Sequence, residues 1–495
     1  MADAFKLIRV GSLKTVRDFR EHLNALGIDL PCDDTILTGA DSPFTKPLSR
    51  LVINGKTPGN CIAVQPMEGW DGTSTGGVTD EMRRRWRRFG ESGAKLICGG
   101  EAMAVRPDGR ANPNQLIADE ANRAGLAELV SILRRAHVER YGAVDDLVIG
   151  FQITHSGRFC RPNDKQRWEP RVAFRHPILD AKFQVHSDSQ VFSDDELEEL
   201  GRCFVRAARI AWKAGADFVD IKHCHGYLLH ELLGAHTRPG RYGGSFENRT
   251  RMLGEIVEGI RADGNPIGLG VRLSLFDLAP YRPDPARSAP GKLGPGIPEE
   301  FSHCLPYDYG FGMNPRNPVE IELAEAARFV ELAGRLGIKV LNTTAGSPYY
   351  TPHLQRPAAY PPSDGYQPAC DPLIDVARQI QAVRQIRAQA PEGMVMIGSG
   401  YTYLQEYLPH TAQAVLRRGW ADAIGLGRMA LSCPNFLHEA AARGAVDART
   451  VCRTFSDCTT APRNGLISGC YPLDKYYTAR PEFARLKEIK RAIGA

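Results

Sequence analysis

Residues 221–228 read IKHCHGYL, a stretch whose lysine, two histidines and tyrosine could bind a metal, hold an oxyanion or pass a proton. The His-x-His spacing of His223 and His225 resembles the ligand pair of a metal-dependent hydrolase. Such a site draws further His, Asp or carboxylated Lys ligands from other elements. The residues available at other strand ends, Gln152, Arg272 and Asn342, are poor or impossible ligands. No metal site is therefore expected, and the hydrolase stays a remote alternative. The choice among Lys222, His223, His225 and Tyr227 turns on which of them a strand aims inward.

Short apolar runs supply the candidate strands: CIAVQPM (from 61), AKLICGG (94), DLVIGFQI (146), ADFVDIK (216), PIGLGVRL (266), IKVLNTT (338), MVMIGSG (394) and ADAIGLG (421). Between them lie stretches with apolar residues at three- and four-residue spacing, such as DELEELGRCFVRAARIAWKAG, the period of an amphipathic helix. Alternation of this kind predicts an α/β fold, a (β/α)8 TIM barrel. Before the fourth strand, Ser193 and Glu196 suit a capping box, Phe192 and Leu197 can pack across it, and Gly215 suits the helix end. IKHCHGYL then falls at the C-terminal end of that strand, where barrel enzymes keep their active sites. Strand alternation gives Val219 and Ile221 to the helix layer, Phe218, Asp220 and Lys222 to the barrel interior, and turns His223 outward.

Composition sets the frame for this barrel. The chain has 495 residues, 43% hydrophobic and 24% charged, with a formal charge of +5. Nothing in that balance calls for a nucleic acid or a membrane, so a small-molecule substrate is expected and a homo-oligomer is left open. The polar start MADAFKLIRVGSLKTVRDF lacks the apolar core of a signal peptide, and no apolar run reaches membrane-span length. A cytoplasmic location with reduced thiols is the expectation. Residues 1–46 read as an N-terminal extension whose amphipathic helix, near VRDFREHLNALG, suits the barrel floor, and residues 47–440 as the barrel. Within it, residues 277–318, with Tyr307, Tyr309 and Phe311, read as an active-site lid after strand five. Residues 441–495 read as a C-terminal extension.

The longest motif, HGYLLHELLGAHTRPGRYGGSFENRTR (225–251), resembles the signature of the old yellow enzyme family of FMN-dependent oxidoreductases. QPM, GGEAMAV, GFQITHSGRF, GVRLS, GSG and GLGR follow in the family's order at the other strands. The style is that of the 2,4-dienoyl-CoA reductase and trimethylamine dehydrogenase branch. His236 and Gly240 stand where the family pattern has Asn and Asp. The resemblance implies FMN across the barrel mouth. Gly398, Ser399, Gly400, Gly427 and Arg428 would hold its phosphate, Gln152 its pyrimidine edge and Arg272 the reduced ring, while Pro66, Met67 and Ala102 would line it. No cysteine follows Pro66-Met67, so noncovalent FMN is expected. Glu68 there would either hinder reduction or meet a cationic substrate.

The resemblance also assigns roles at the fourth strand. A pair of side chains holds the carbonyl of an electron-poor alkene, and a tyrosine two residues later protonates it. Those positions are Lys222, His225 and Tyr227, with lysine in place of the family's first histidine. Asp220, two residues before Lys222, is the expected partner that keeps it charged. For Tyr227 the alternative is a packing aromatic. Beyond the barrel, CRTFSDCTTAPRNGLISGC keeps Cys458 and Cys470 at the branch's iron–sulfur spacing but misplaces Cys452, which reads as a degenerate remnant with no cluster. No Gly-x-Gly-x-x-Gly unit marks a second nucleotide domain. The leading function is hydride transfer from reduced FMN to an activated C=C bond, with NAD(P)H as reductant. Oxidative amine demethylation or dehydrogenation is the alternative, and a flavin-binding protein without activity is a further one.

Overall fold

Runs rich in Val, Ile and Leu, bounded by glycine, become eight parallel strands in a computed structural model that describes residues 7–492. They are β1 (Ile62–Val64), β2 (Leu96–Ile97), β3 (Val148–Thr154), β4 (Phe218–His223), β5 (Gly268–Ser274), β6 (Val340–Thr344), β7 (Val395–Gly398) and β8 (Ala423–Leu426). Each pairs in parallel with its successor, and Ile62 opposite Ile424 closes β8 onto β1. The fold is the (β/α)8 barrel the repeats predict; five strands lie inside their expected runs, and those ending at Thr154, His223 and Ser274 run one residue past theirs. A short continuation, Ala102–Ala104, pairs with the far end of β3 after a break at Gly99 and Gly100. Both glycines have positive φ, and a Cβ on Gly99 would lie 2.5 Å from the Gln152 nitrogen, so the break needs glycine.

Side-chain alternation on β4 follows the expected sense. Phe218 packs inside the barrel with Leu96, Val148, Val340 and Val395. Val219 and Ile221 join the outer core formed with the helices. His223 points outward: its ring lies 5.4 Å from that of Phe329 on the helix Ala324–Arg335, and burial pushes its pKa down to about 4. The direction of β4 is prepared by the preceding helix, Asp194–Lys213. Ser193 caps it in a reciprocal capping box with Glu196, and Gly215 leaves it at φ 92°.

Three peripheral segments complete the molecule. Leu48, Leu51 and Ile53 plug the N-terminal end of the barrel. The helix Val16–Ala25, expected on that floor, lies instead against the opposite rim, where Phe19 stacks on Tyr407 at 4.3 Å and His22 meets Asp371 at 2.9 Å. The floor was already filled by the apolar residues just before β1. The 277–318 insert, with the three residues after it, forms two small antiparallel ribbons, Tyr281–Pro283 with Gly296–Pro298 and Met313–Asn314 with Asn317–Ile321. After the barrel, the helices Asp457–Arg463, Lys475–Thr478 and Glu482–Ala492 share a small core of Ala461, Tyr471, Tyr477 and Leu486. Arg84, on the helix after β1, anchors them through Asp474 at 2.9 Å. Among the described residues, no helix is long and apolar enough to cross a membrane.

Candidate active site at the barrel mouth

β4 delivers Asp220 and Lys222 inward, and the chain then leaves the strand through His225 and Gly226 at φ 65° and 74°. A left-handed histidine is uncommon. Here its N–H donates to Ser274 Oγ at 3.0 Å, and the Gly226 N–H donates to His230 Nδ1 at 2.9 Å. The turn carries His225 and Tyr227 over the mouth, breaking the alternation that sent His223 away.

The cleft at the C-terminal ends of the strands is lined by Lys222, His225 and Tyr227, by Pro66 and Met67 after β1, and by Gln152 and Arg272. Ser399, Gly400, Gly427 and Arg428 line it from the ends of β7 and β8. Two expected cofactor residues lie outside the lining. Ala102 sits in the short strand past the glycine break, its carbonyl accepting from Gln115 Nε2 at 3.0 Å. Gly398 is covered by Tyr401, whose hydroxyl would be 2.6 Å from any Cβ placed there. Tyr307, Tyr309 and Phe311 of the 277–318 insert line a separate, smaller cavity with Arg158 and His176. The main cleft is walled instead by Pro348, Tyr349 and Arg356 after β6 and by Cys458, Thr459, Arg463 and Ser468 of the C-terminal segment.

Inside the cleft Lys222 Nζ donates to Glu68 Oε1 at 2.6 Å and lies 3.5 Å from the centre of the Tyr227 ring. Asp220, the expected partner of Lys222, is committed elsewhere. It accepts from Gln152 Nε2 and Asn342 Nδ2, each at 3.1 Å. Strand geometry explains the difference, because Asp220 lies one pleat deeper in the barrel, beside β3 and β6, whereas Glu68 reaches in from the loop above. Burial pushes the Asp220 carboxyl up to about 6 against the opposing pull of Arg272. Its grip on Gln152 leaves the Gln152 carbonyl oxygen as that side chain's free end.

Tyr227 and Tyr349 share a hydrogen bond of 3.1 Å between hydroxyls. Burial, with the Glu68 charge next in weight, holds the Tyr227 phenol well above its ordinary range, so it keeps its proton. His225 Nε2 lies 3.1 Å from Thr344 Oγ1, and burial together with Arg272 and Lys222 keeps the imidazole neutral. The mouth therefore presents a retained phenolic proton and a neutral imidazole side by side.

Beyond β8 the electrostatics change sign. Arg428 Nη2 donates to the Pro357 carbonyl at 2.9 Å, while its Nη1 is buried without a partner. Arg356 donates to Thr459 Oγ1, and its Nε and Nη2 are likewise buried and unpartnered. Burial and the neighbouring Arg463 and Arg428 push Arg356 below the ordinary guanidinium range. Two half-buried arginines thus place three buried, unpartnered guanidinium nitrogens in the cleft, a donor set that could hold an oxyanion. Gln65, immediately before Pro66, adds an unpartnered buried Oε1, and its Nε2 donates to Ser399 Oγ at 2.9 Å. Its place in the QPM motif was its signal. Arg356 had none, and the 458–469 wall was marked only by its cysteine spacing, which pointed to a cluster remnant and not to a wall of this cleft. Cys452, Cys458 and Cys470 lie near enough to influence one another's charge. Among the described residues no group of three or more His, Cys, Asp or Glu side chains is arranged to hold a metal ion.

The arrangement is a closed parallel barrel with unpartnered guanidinium nitrogens after β6 and β8 and proton-bearing groups after β4. Residues 51–284 match the model of the NADH:flavin oxidoreductase / NADH oxidase family. Over that stretch the chain is similar to the family, the old yellow enzyme group its motifs resemble. It is 32% identical over 240 residues to an NADPH dehydrogenase of Geobacillus sp. (strain WCH70), a match covering 47% of this chain and 64% of the relative, under two thirds of its length. Its fold is shared with a 2-naphthoyl-CoA reductase in complex with 2-naphthoyl-CoA, at TM-score 0.60 and 17% identity over 89% of this chain and 58% of that one. It is also shared with the old yellow enzyme homologue from Zymomonas mobilis, at TM-score 0.53 and 21% identity over 80% of this chain and 91% of that one.

Proposed function

We propose that the chain is an FMN-dependent oxidoreductase that reduces an activated C=C bond of a small molecule, with NAD(P)H as the source of electrons. The observation that carries this reading is the pairing, in one cleft, of an unsatisfied guanidinium seat with the protonated Tyr227 and neutral His225. The residues fit the cofactor. Arg428 and Arg356 would take the phosphate, with Ser399, Gly400 and Gly427 beside them, and Gln152 and Gln65 would meet the polar edge of the ring. Arg272, whose Nη1 donates to the Pro66 carbonyl at 3.0 Å while its Nε is unpartnered, would face developing negative charge. When bound, FMN supplies hydride transfer; the remaining steps belong to the protein.

His225 supports the substrate's polarised oxygen, an interaction of the oxyanion-hole kind worth on the order of 3 kcal/mol per well-aimed donor. Tyr227 delivers the proton to carbon, and Tyr349, in hydrogen-bond contact with it, stands ready to return one. Lys222 spends one of its three N–H groups on Glu68, so the pair that the family aims at a carbonyl is here partly engaged within the protein. Anaerobic reduction of the purified protein by NADH or NADPH, followed by reoxidation with enones and enoates, and in parallel anaerobic mixing of the oxidised protein with methylamines, tests the proposal. Bleaching and enone-dependent return of a yellow chromophore is the expected result. A colourless protein, or one that methylamines bleach and that enones and enoates fail to reoxidise, would refute it.

A further inference from the structure

The barrel mouth already contains a cation in the position where an amine substrate would need one. A carboxylate beside an aromatic face recognises ammonium groups through charge and the ring quadrupole together. Here the carboxylate is Glu68, 21% exposed toward the cleft, and the face is that of Tyr227. Tyr349 and Trp70 stand on the same cleft wall. The ammonium between them is that of Lys222, with its side chain only 2% exposed, 2.6 Å from Glu68 Oε1 and 3.5 Å from the Tyr227 ring centre. Asp220 does not compete for it, being held by Gln152 and Asn342.

We infer that Lys222 fills from within the seat a cationic substrate would occupy, and so sets the specificity of this cleft against amines and toward neutral or anionic acceptors. This rests on the reading of the cleft as the substrate side of a flavin site. The surroundings agree with it. Arg272 is the ladder partner of Lys222, and Arg356 and Arg428 line the same cleft. With Glu68 neutralised internally, an entering ammonium meets positive charge and no free carboxylate. Removing Lys222 alone inverts that balance, because a half-buried carboxylate without its partner seeks another cation.

The test uses the full chain loaded with FMN, titrated calorimetrically with tetramethylammonium chloride against sodium chloride at equal ionic strength. Wild type is expected to show no saturable binding, whereas Lys222→Ala and Lys222→Gln each gain affinity by about tenfold or more. n-Propylammonium, which replaces the atoms removed in Lys222→Ala, is expected to bind that variant as well. The double variant Lys222→Ala/Glu68→Gln should lose the gain. Equal binding by wild type and variants, no gain in either single variant, or a gain that survives Glu68→Gln would each overturn the inference. If Lys222→Ala does not fold, Lys222→Gln decides alone. Flavin content, read separately from visible absorbance, tells whether the functional reading has failed, while the heat of cation binding reports on Lys222 itself.

Discussion

Tyr227 keeps its proton because burial and the Glu68 charge both oppose phenolate, and that proton is what the proposed reaction consumes. Tyr227→Phe removes the hydroxyl but retains the ring over Lys222. General-acid roles are worth about 10²–10⁴-fold. The variant should therefore lose about a hundredfold or more in enone reduction, while its reduction by NAD(P)H stays within about threefold. Stopped-flow absorbance separates the two half-reactions, and equal losses in both would assign Tyr227 to packing. Asp220 makes a pH prediction. Its folded pKa is raised from 3.8 to about 6, so between those values the native state holds a proton that the unfolded chain has released. Stability from this group is present below about 4 and is lost as pH rises through 6. Asp220→Asn, which can still accept from the Gln152 or Asn342 amide, should gain on wild type by an order of 2 kcal/mol across that window. Paired urea melts at pH 4 and 7 would expose the idea as wrong if the difference stayed flat.

At the scale of elements, the catalytic face depends on how β4 begins and ends. Ser193 and Glu196 start the preceding helix, Gly215 ends it, and the His225–Gly226 turn throws the next residues over the mouth. Ser193→Ala strips the cap from the first turn. A cost of about 1 kcal/mol in unfolding free energy is expected, measured by denaturant titration, with an unchanged flavin spectrum because neither Ser193 nor Glu196 lines the cleft. The cap was readable because it is a local pattern. The role of the 277–318 insert was not: its length and aromatic content suggested a lid, yet its aromatics bury against Arg158 and His176. Composition describes what a loop can cover but not which neighbour it meets.

Across the whole molecule, Arg356 and Arg428, 72 residues apart, bring buried unpartnered guanidinium nitrogens to one cleft, and on the proposed reading this makes the apo-protein the less stable form. Ligand that binds only the native state adds RT ln(1 + [L]/Kd), about 4 kcal/mol at a thousandfold excess over Kd. Added FMN should therefore raise the melting temperature of stripped protein by several degrees. Arg428→Ala should reduce that rise and weaken FMN binding by about tenfold or more, the worth of a charge-assisted hydrogen bond. Arg356→Ala should do the same if both side chains share one phosphate. Fluorescence titration of FMN against the apo-variants measures the two affinities, and unaltered binding in both would move the phosphate elsewhere.

The sequence by itself determined the barrel, because hydrophobic period, caps and glycine stops are properties of neighbouring residues. It also determined the inward face of β4 and the outward turn of His223, since alternation is fixed by the peptide backbone. The tertiary structure decided what those residues meet. Lys222 pairs with Glu68 across 154 positions, and Trp70 N–H bonds Ser468 Oγ across 398. Such partners are set only when the sheet closes and the last helices fold back over its mouth, and no local spacing records that closure. The same closure gathered Arg356, Arg428 and the 458–469 wall into one cleft. It also turned an unexpected lysine from a donor awaiting substrate into half of an ion pair.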